Sequence, residues 1–418
     1  MDQRRELRDH APGRAGQRVR AASCCLAAAL LSLAAGAGPA RGQVRTGLDI
    51  LIEENFQPLA GKRVGLATNQ TGIAGDGRRN IDIFAHAPNL KLTAIFSFEH
   101  GIAGTREDNR IESSFDETTG VPIYSLYNGD VRKPTPDMLK DVDVLVYDKQ
   151  DNGARFYTSV TSMAYLLEAA AENHLPYYVL DRPNGINGVD VAGTLLDAKY
   201  VSFVTYMPGF PIRHGMTMGE MARYFNGEKK LAADLHVIPM KGWKRSMWFD
   251  ETGLEWVNPS PNIRNLTEAL LYPGTCLLEG SQISVGRGTD TPFQIVGAPW
   301  YRAREVAAYL NELELPGVRF LYRRFRPAAS AYKGEECHGL DIQVVDRAVF
   351  DPVRMGMELL AATIRFHPGK FEPAMRLLGS DKVLAELKAG KSGREILDAA
   401  RKDLENFRAI RAKYLLYN

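Results

Sequence analysis

The chain has 418 residues, of which 45% are hydrophobic, and its formal charge at pH 7 is +2. This length can bury a large core and allows two domains, so a fibrous or disordered protein is excluded. Residues 1–42 hold seven arginines and three acidic residues, which leaves 45 basic and 47 acidic residues in the remainder. The remainder therefore has no general positive field that would attract nucleic acid.

The first 42 residues resemble a secretory signal peptide. They combine an arginine-rich leader, an apolar run over residues 21–37 and small residues before a cleavage point after Ala40 or Gly42. This pattern predicts export to the periplasm or the medium. A fraying tail or a misplaced start codon is the alternative explanation. No later stretch approaches the roughly 20 apolar residues of a membrane span.

Short apolar strands alternate with helical patterns from residue 62 onward, which predicts an α/β fold with a parallel sheet. The four predicted strands span residues 63–68, 92–96, 142–147 and 176–180, and the clearest helix spans 161–173. After a loop-rich region, the pattern predicts helices over 303–310, 355–366 and 394–413 and strands over 318–322 and 339–345. We therefore expect a catalytic domain over 43–290 and a smaller α/β domain over 291–418.

Polar residues follow each of the four predicted strands. Because the carboxyl ends of parallel strands share one edge of the sheet, we expect these residues to converge on one cleft. Asn, Asp and Gly also favour ordinary turns, which is the alternative explanation. The residues are Asn69 after the first strand, Glu99 and His100 after the second, Asp148, Gln150 and Asp151 after the third, and Arg182 after the fourth.

Several common active-site motifs do not occur in the sequence. It has no Gly-x-Gly-x-x-Gly turn after the first strand, no Walker loop and no Gly-x-Ser-x-Gly elbow. The histidines are scattered, and Cys276 and Cys337 lack metal-type spacing, although one disulfide is possible. We therefore predict no cofactor. A divalent-cation site at Glu99, Asp148 and Asp151 is a minor alternative.

Acids and amides without a nucleophilic serine are typical of a glycosidase, in which one carboxylic acid protonates the leaving oxygen. Glu99 is the candidate general acid, and His100 could orient it or bind substrate. Asp148 could position water or bind a sugar hydroxyl, and helix capping is its alternative role. Glu279 is the second candidate acid, and it could equally be structural.

Six ordered motifs are similar to those of the exo-β-N-acetylmuramidase family, long catalogued as a domain of unknown function. They lie at residues 96–101, 147–158, 181–184, 213–217, 259–262 and 278–289. The resemblance implies a Rossmann-like domain and a smaller carboxy-terminal domain, with the active site in the cleft between them. It also implies release of N-acetylmuramic acid from the non-reducing ends of peptidoglycan fragments, as in cell-wall turnover, with Glu99 as the catalytic acid.

The lactyl carboxylate of N-acetylmuramic acid suits a bidentate guanidinium. Arg155 and Arg287 are the favoured partners because glycines and hydroxyl residues surround them, although each could instead form a structural ion pair. The other predicted substrate contacts are Asn69, Gln150, Asp151, Tyr157, Arg182, His214, Asn262 and Thr289. Two other classes remain open: a non-catalytic envelope protein that binds muropeptides, and a metal-dependent hydrolase that uses Asp148 and Asp151.

Overall fold

The structure is a computed structural model that describes residues 43–108 and 110–418. The predicted signal peptide, residues 1–42, lies outside the described residues. Within the described ranges the strands are β1 Arg63–Thr68, β2 Lys91–Ser97, β3 Ser114–Phe115, β4 Pro122–Ser125, β5 Val144–Asp148, β6 Tyr177–Leu180, β7 Leu235–Ile238, β8 Ile295–Ala298, β9 Val318–Phe325 and β10 Cys337–Val344.

The larger sheet has seven strands in the order β3-β4-β2-β1-β5-β6-β7. All of its pairings are parallel except the one between β3 and β4 at one edge. In the centre, Leu66 of β1 is in register with Ile95 of β2 and Val146 of β5. The near-continuous apolar character of these strands arises because both faces of a parallel sheet are covered.

Helices cover both faces of this sheet, and other helices pack with the second one. They are α1 Gly47–Glu53, α2 Asn80–Ala85, α3 Pro136–Leu139, α4 Thr158–Glu172, α5 Met218–Glu228, α6 Leu266–Thr275, α7 Ala303–Glu312, α8 Pro352–Phe366, α9 Met375–Leu378, α10 Asp381–Lys388, α11 Gly393–Ala399 and α12 Arg401–Arg411. Residues of α4 and α5 share one core cluster with the sheet, and residues of α1 and α2 share another. None of the described helices is long and apolar enough to cross a membrane.

The second sheet is antiparallel, in the order β8-β10-β9, and shares a core with α6, α7 and α8. The predicted α/β fold with a smaller second part is therefore confirmed. The predicted single helix over 394–413 is wrong, because Ala400 separates two helices, α11, which ends at Ala399, and α12, which begins at Arg401. β3, β4, β7 and β8 were not predicted, since segments of two to four residues carry too little periodicity.

Candidate active site

The strand order places a crevice at the carboxyl ends of β2, β1 and β5. The chain runs from β1 to β2 and β4 on one side and then returns to β5 on the other side of β1. Open α/β sheets bind ligands at such a reversal. A cavity of about 480 Å³ lies there, with Glu99 and Lys149 from the strand ends and Glu279, Arg287 and Leu377 from later segments in its walls. Its volume suits a sugar-sized ligand.

Glu99 is held in a defined orientation at the wall of this cavity. Its Oε2 accepts a hydrogen bond from the Thr158 hydroxyl at 2.7 Å, and its Oε1 accepts one from the Tyr127 hydroxyl at 3.4 Å. Thr158 is the first residue of α4, and the amino terminus of a helix favours nearby negative charge. The carboxyl group therefore faces the cavity while fixed donors set its position.

His100 lines the cavity beside Glu99 and turns the chain after β2. Its φ of 71° lies in the left-handed region, as does that of Gly101, and the Gly101 amide donates to the Phe98 carbonyl at 3.0 Å. The His100 Nδ1 lies 2.6 Å from the Arg106 carbonyl oxygen, which can only accept, so Nδ1 carries a proton. Burial lowers the pKa of His100, which favours the neutral ring.

Glu279 is the second acid in the cavity wall. One of its carboxylate oxygens accepts a hydrogen bond from Arg287 Nε, and the other accepts one from the Cys276 thiol at 3.3 Å. Burial raises the pKa of that thiol well above its ordinary value, so the thiol remains a donor. Arg287 also approaches Glu107 at 3.7 Å. Arg287 thus lines the cavity and forms ion pairs within the protein, which is the alternative role considered for it.

Aromatic rings also form part of the cavity wall, and the centroid of the Phe293 ring lies 5.2 Å from the Arg287 guanidinium carbon. Tyr157 and Tyr272 pack edge to face with ring centroids 5.8 Å apart, and Phe293 packs against Tyr272 at 4.8 Å. All three line the cavity. Burial raises the pKa of Tyr157, so its hydroxyl stays neutral. The wall therefore combines apolar surface with hydroxyl groups, a combination suited to a sugar ring.

Asp148 lies outside this cavity and is fully buried. Its carboxylate accepts two hydrogen bonds from Arg182, at 2.6 and 3.0 Å, and one from Asn80 at 2.8 Å. The structure therefore does not support the catalytic role predicted for Asp148 or the substrate contact predicted for Arg182. The physical reason is strand alternation: Asp148 and Lys149 project to opposite sides, and only Lys149 reaches the cavity.

Arg155 is also directed away from the cavity. Its guanidinium is almost completely buried and donates to the backbone carbonyls of Thr194, Phe210, Leu377 and Leu378 at 2.7–3.2 Å. These four bonds occupy both terminal nitrogens. The structure therefore does not support the predicted contact between Arg155 and the lactyl group, and makes Arg155 a structural brace.

Six further residues predicted as substrate contacts do not line the cavity, and their side chains contact other groups of the protein. Some of these contacts lie within turns, where Asn, Asp, Thr and Gln side chains can replace backbone partners, and others join distant segments. Asn69 accepts from Thr71, Gln150 donates to the Asp151 and Pro183 carbonyls, Asp151 accepts from the Gly153 amide, His214 lies 3.4 Å from Asp151, Asn262 donates to Glu107, and Thr289 donates to the Gly286 carbonyl.

These contacts also bear on the metal-dependent alternative. The Asp148 and Asp151 carboxylates are engaged by Arg182 and the Gly153 amide, so they are not arranged as free cation ligands. The described residues contain no group of three or more His, Cys, Asp or Glu side chains placed to hold a metal ion. In the same ranges Cys276 and Cys337 are buried free thiols, so the disulfide considered from the sequence does not form.

The cavity wall also contains residues that the sequence reasoning missed, among them Tyr127, Lys149, Thr158, Tyr272 and Arg376. Lys149 could have been found, because it is adjacent to Asp148 and strand alternation places one of the two toward the crevice. Thr158 lies in a motif that was recognised, but nothing in its spacing pairs it with Glu99. Arg376 comes from α9, more than 200 residues beyond the strand ends, and had no local signal.

An open α/β sheet whose crevice holds two separate carboxyl groups beside aromatic walls defines a glycosidase type of site. The amino-terminal model of the exo-β-N-acetylmuramidase NamZ family matches residues 64–267, and its carboxy-terminal model matches residues 270–417. The chain belongs to this family.

Relatives of known sequence and structure agree with this assignment. The chain is 43% identical over 381 residues to the peptidoglycan β-N-acetylmuramidase NamZ of Bacillus subtilis strain 168, which covers 90% of this chain and 92% of that protein. Two crystal structures of DUF1343 family proteins from Bacteroides fragilis NCTC 9343 share the fold, with TM-scores of 0.79 and 0.73 and identities of 38% and 34%. Each match covers 90% of this chain and 99% of the other.

Proposed function

We propose that this protein is an exo-β-N-acetylmuramidase that releases terminal β-linked N-acetylmuramic acid from the non-reducing ends of peptidoglycan fragments. Glu99 is the general acid that protonates the leaving oxygen. The observation that carries this role is the position of its carboxyl group at the cavity wall, held by Thr158 and Tyr127 at the amino terminus of α4. Family membership supports the substrate class.

Replacement of the acid tests this role. Glu99→Gln keeps the side-chain shape but removes the transferable proton, so kcat on a chromogenic β-glycoside of N-acetylmuramic acid should fall about 100- to 10,000-fold. The matched control is Glu117→Gln, because Glu117 is exposed and does not line the cavity. Both variants should show wild-type thermal unfolding. Near-normal release by a folded Glu99→Gln variant would exclude Glu99 as the acid.

The second functional group is Glu279 or the acetamido group of the substrate. Glu279 shares the cavity with Glu99 and forms an ion pair with Arg287. A carboxylate that activates water from the opposite face inverts the anomeric configuration, whereas an internal acetamido nucleophile retains it. Proton NMR of the first-formed sugar distinguishes these two mechanisms.

Binding of muropeptides without sugar release would favour the alternative function, a non-catalytic envelope protein that binds muropeptides.

The protein acts outside the cytoplasm, in the periplasm or the medium. The support is the leader pattern of residues 1–42, with its arginines, apolar run and small residues before Gln43. Expression of the full chain followed by amino-terminal sequencing of the exported product tests this location. A mature terminus near residues 41–43 is the expected result, and an uncleaved cytoplasmic product would contradict export.

A further inference from the structure

The cavity wall contains one buried cation, Lys149, to which the described residues give neither a hydrogen bond nor an ion pair. Lys149 lines the wall, and its side chain is only 4% exposed. Across residues 43–108 and 110–418, no hydrogen bond or ion pair to its ammonium group is found. Its nitrogen lies over the Phe98 ring, 5.0 Å from the ring centroid, and this cation–π contact supplies no hydrogen-bond acceptor. Lysine is almost never buried without a partner, so the free cavity needs an acceptor at this point.

The other cations of the cavity are less suited to recognise a buried anion. Arg287 is already paired with Glu279 and Glu107. Arg376 also lines the cavity, but its side chain is exposed to solvent, where a charge pair is weakened. Lys149 is therefore the cavity cation whose hydrogen-bond donors are available to a ligand, and it is buried, so solvent would screen a charge pair there only weakly.

The substrate supplies the missing acceptor. N-acetylmuramic acid carries a lactyl carboxylate, and the cavity that must admit it already contains the carboxylate of Glu279. Like charges at close range raise the free energy of an anionic ligand unless a cation compensates. A compact ammonium group can do so with charge-assisted hydrogen bonds.

We propose that Lys149 is the substrate-contacting residue that binds the lactyl carboxylate of the terminal sugar, and thereby makes the cavity select muramic acid over sugars that lack this group. This inference rests on the proposed function for its substrate. It replaces the roles first expected for Arg155 and Arg287. A competing role for Lys149 is to offset the charge of Glu99, which would affect charged and neutral sugars equally.

Binding measurements with two matched sugars distinguish these roles. The probes are N-acetylmuramic acid and its lactyl amide, which has nearly the same shape without the charge, and the readout is the ratio of their dissociation constants by calorimetry at pH 7. Wild-type protein should prefer the acid by about tenfold to a hundredfold. Lys149→Gln should reduce this preference to less than about threefold, and Lys149→Arg should retain more of it than Lys149→Gln.

Two further variants make the test specific. Lys140→Gln is the matched control, since Lys140 is exposed and does not line the cavity, and it should keep the wild-type ratio. Arg376→Gln should also keep most of the ratio. The inference is overturned if wild-type protein binds both sugars equally, if Lys149→Gln keeps the preference, or if Arg376→Gln loses it instead. Because binding is measured without hydrolysis, failure of wild-type protein to cleave a muramic acid glycoside counts separately against the proposed function.

Discussion

At the scale of single residues, Lys149 shows a conflict between stability and binding. Burial lowers its pKa from 10.5 to about 8, so the native state holds this proton less tightly than the unfolded chain does. The difference corresponds to about 3 kcal/mol of destabilisation wherever both states are protonated, below about pH 8. Residues that bind ligands commonly destabilise the native protein in this way.

We therefore expect Lys149→Met to raise the free energy of unfolding at pH 7 by roughly 1–3 kcal/mol, because the thioether fills the site beside Phe98 without burying a charge. As pH rises from about 8 toward 10.5, the free energy of unfolding of the wild-type protein should approach that of the variant. The reason is that protonation of Lys149 stabilises the unfolded chain less and less over this range. Urea denaturation at pH 7 and pH 9 measures both effects. Lys140→Met is the control and should change stability by less than about 0.5 kcal/mol. Destabilisation by Lys149→Met would contradict this account.

At the scale of secondary-structure elements, Arg155 connects the loop before α4 to α9. Its bonds to the Leu377 and Leu378 carbonyls join segments more than 200 residues apart, and Leu377 lines the cavity beside Arg376. The side chain therefore positions one wall of the site without touching the cavity. The glycine and hydroxyl residues around Arg155, which predicted access for a ligand, leave room in the structure for the backbone carbonyls that its guanidinium binds.

Arg155→Met should lower the free energy of unfolding by about 3–5 kcal/mol, because four buried carbonyls lose their donor. It should also raise KM for a muramic acid glycoside, since the wall at Leu377 is no longer held. Chemical denaturation and steady-state kinetics measure the two effects. Arg401→Met, at an exposed ion pair with Asp398, is the control and should cost less than about 1 kcal/mol. Unchanged stability in Arg155→Met would show that the brace is dispensable.

At the scale of the whole molecule, the carboxy-terminal residues close the structure onto the large sheet. The Tyr417 hydroxyl donates to Asp181 at 2.6 Å, directly after β6, and the Leu416 amide donates to Glu220 at 2.9 Å. Asp181 also accepts from the Thr217 hydroxyl and the Gly219 amide. Burial raises the pKa of Asp181 to about 6, although these hydrogen bonds favour its ionised form.

This pKa predicts a pH-dependent contribution to global stability. Between pH 4 and pH 6 the unfolded chain loses the Asp181 proton while the native protein retains it, so the contribution of Asp181 to stability falls as pH rises. The stability advantage of wild-type protein over Asp181→Asn should therefore shrink by about 2 kcal/mol from pH 4 to pH 7. Urea denaturation of both proteins across this range gives the difference. A difference that is constant with pH would show that Asp181 has an ordinary pKa.

The sequence by itself determined the α/β class, the four central strands, the position of Glu99 and the family. Each of these depends on local information: strand periodicity, the residue that follows a strand, and ordered motifs. The position of β1 between β2 and β5 follows from strand pairing, and this tertiary arrangement decided which side chains reach the cavity. Glu99, Tyr157, Glu279 and Arg287 line it, whereas Asp148 and Arg155 do not.

The reason is that a polar side chain at a strand end has the same local signature whether it binds a ligand or a neighbouring loop. Asp148 and Lys149 are adjacent, yet strand alternation directs one to Arg182 and the other to the cavity. Arg376 and Leu377 reach the site only because the second part of the chain packs there. The role of Glu99 could therefore be predicted from local sequence, whereas the residues that surround Glu99 depend on contacts between distant segments.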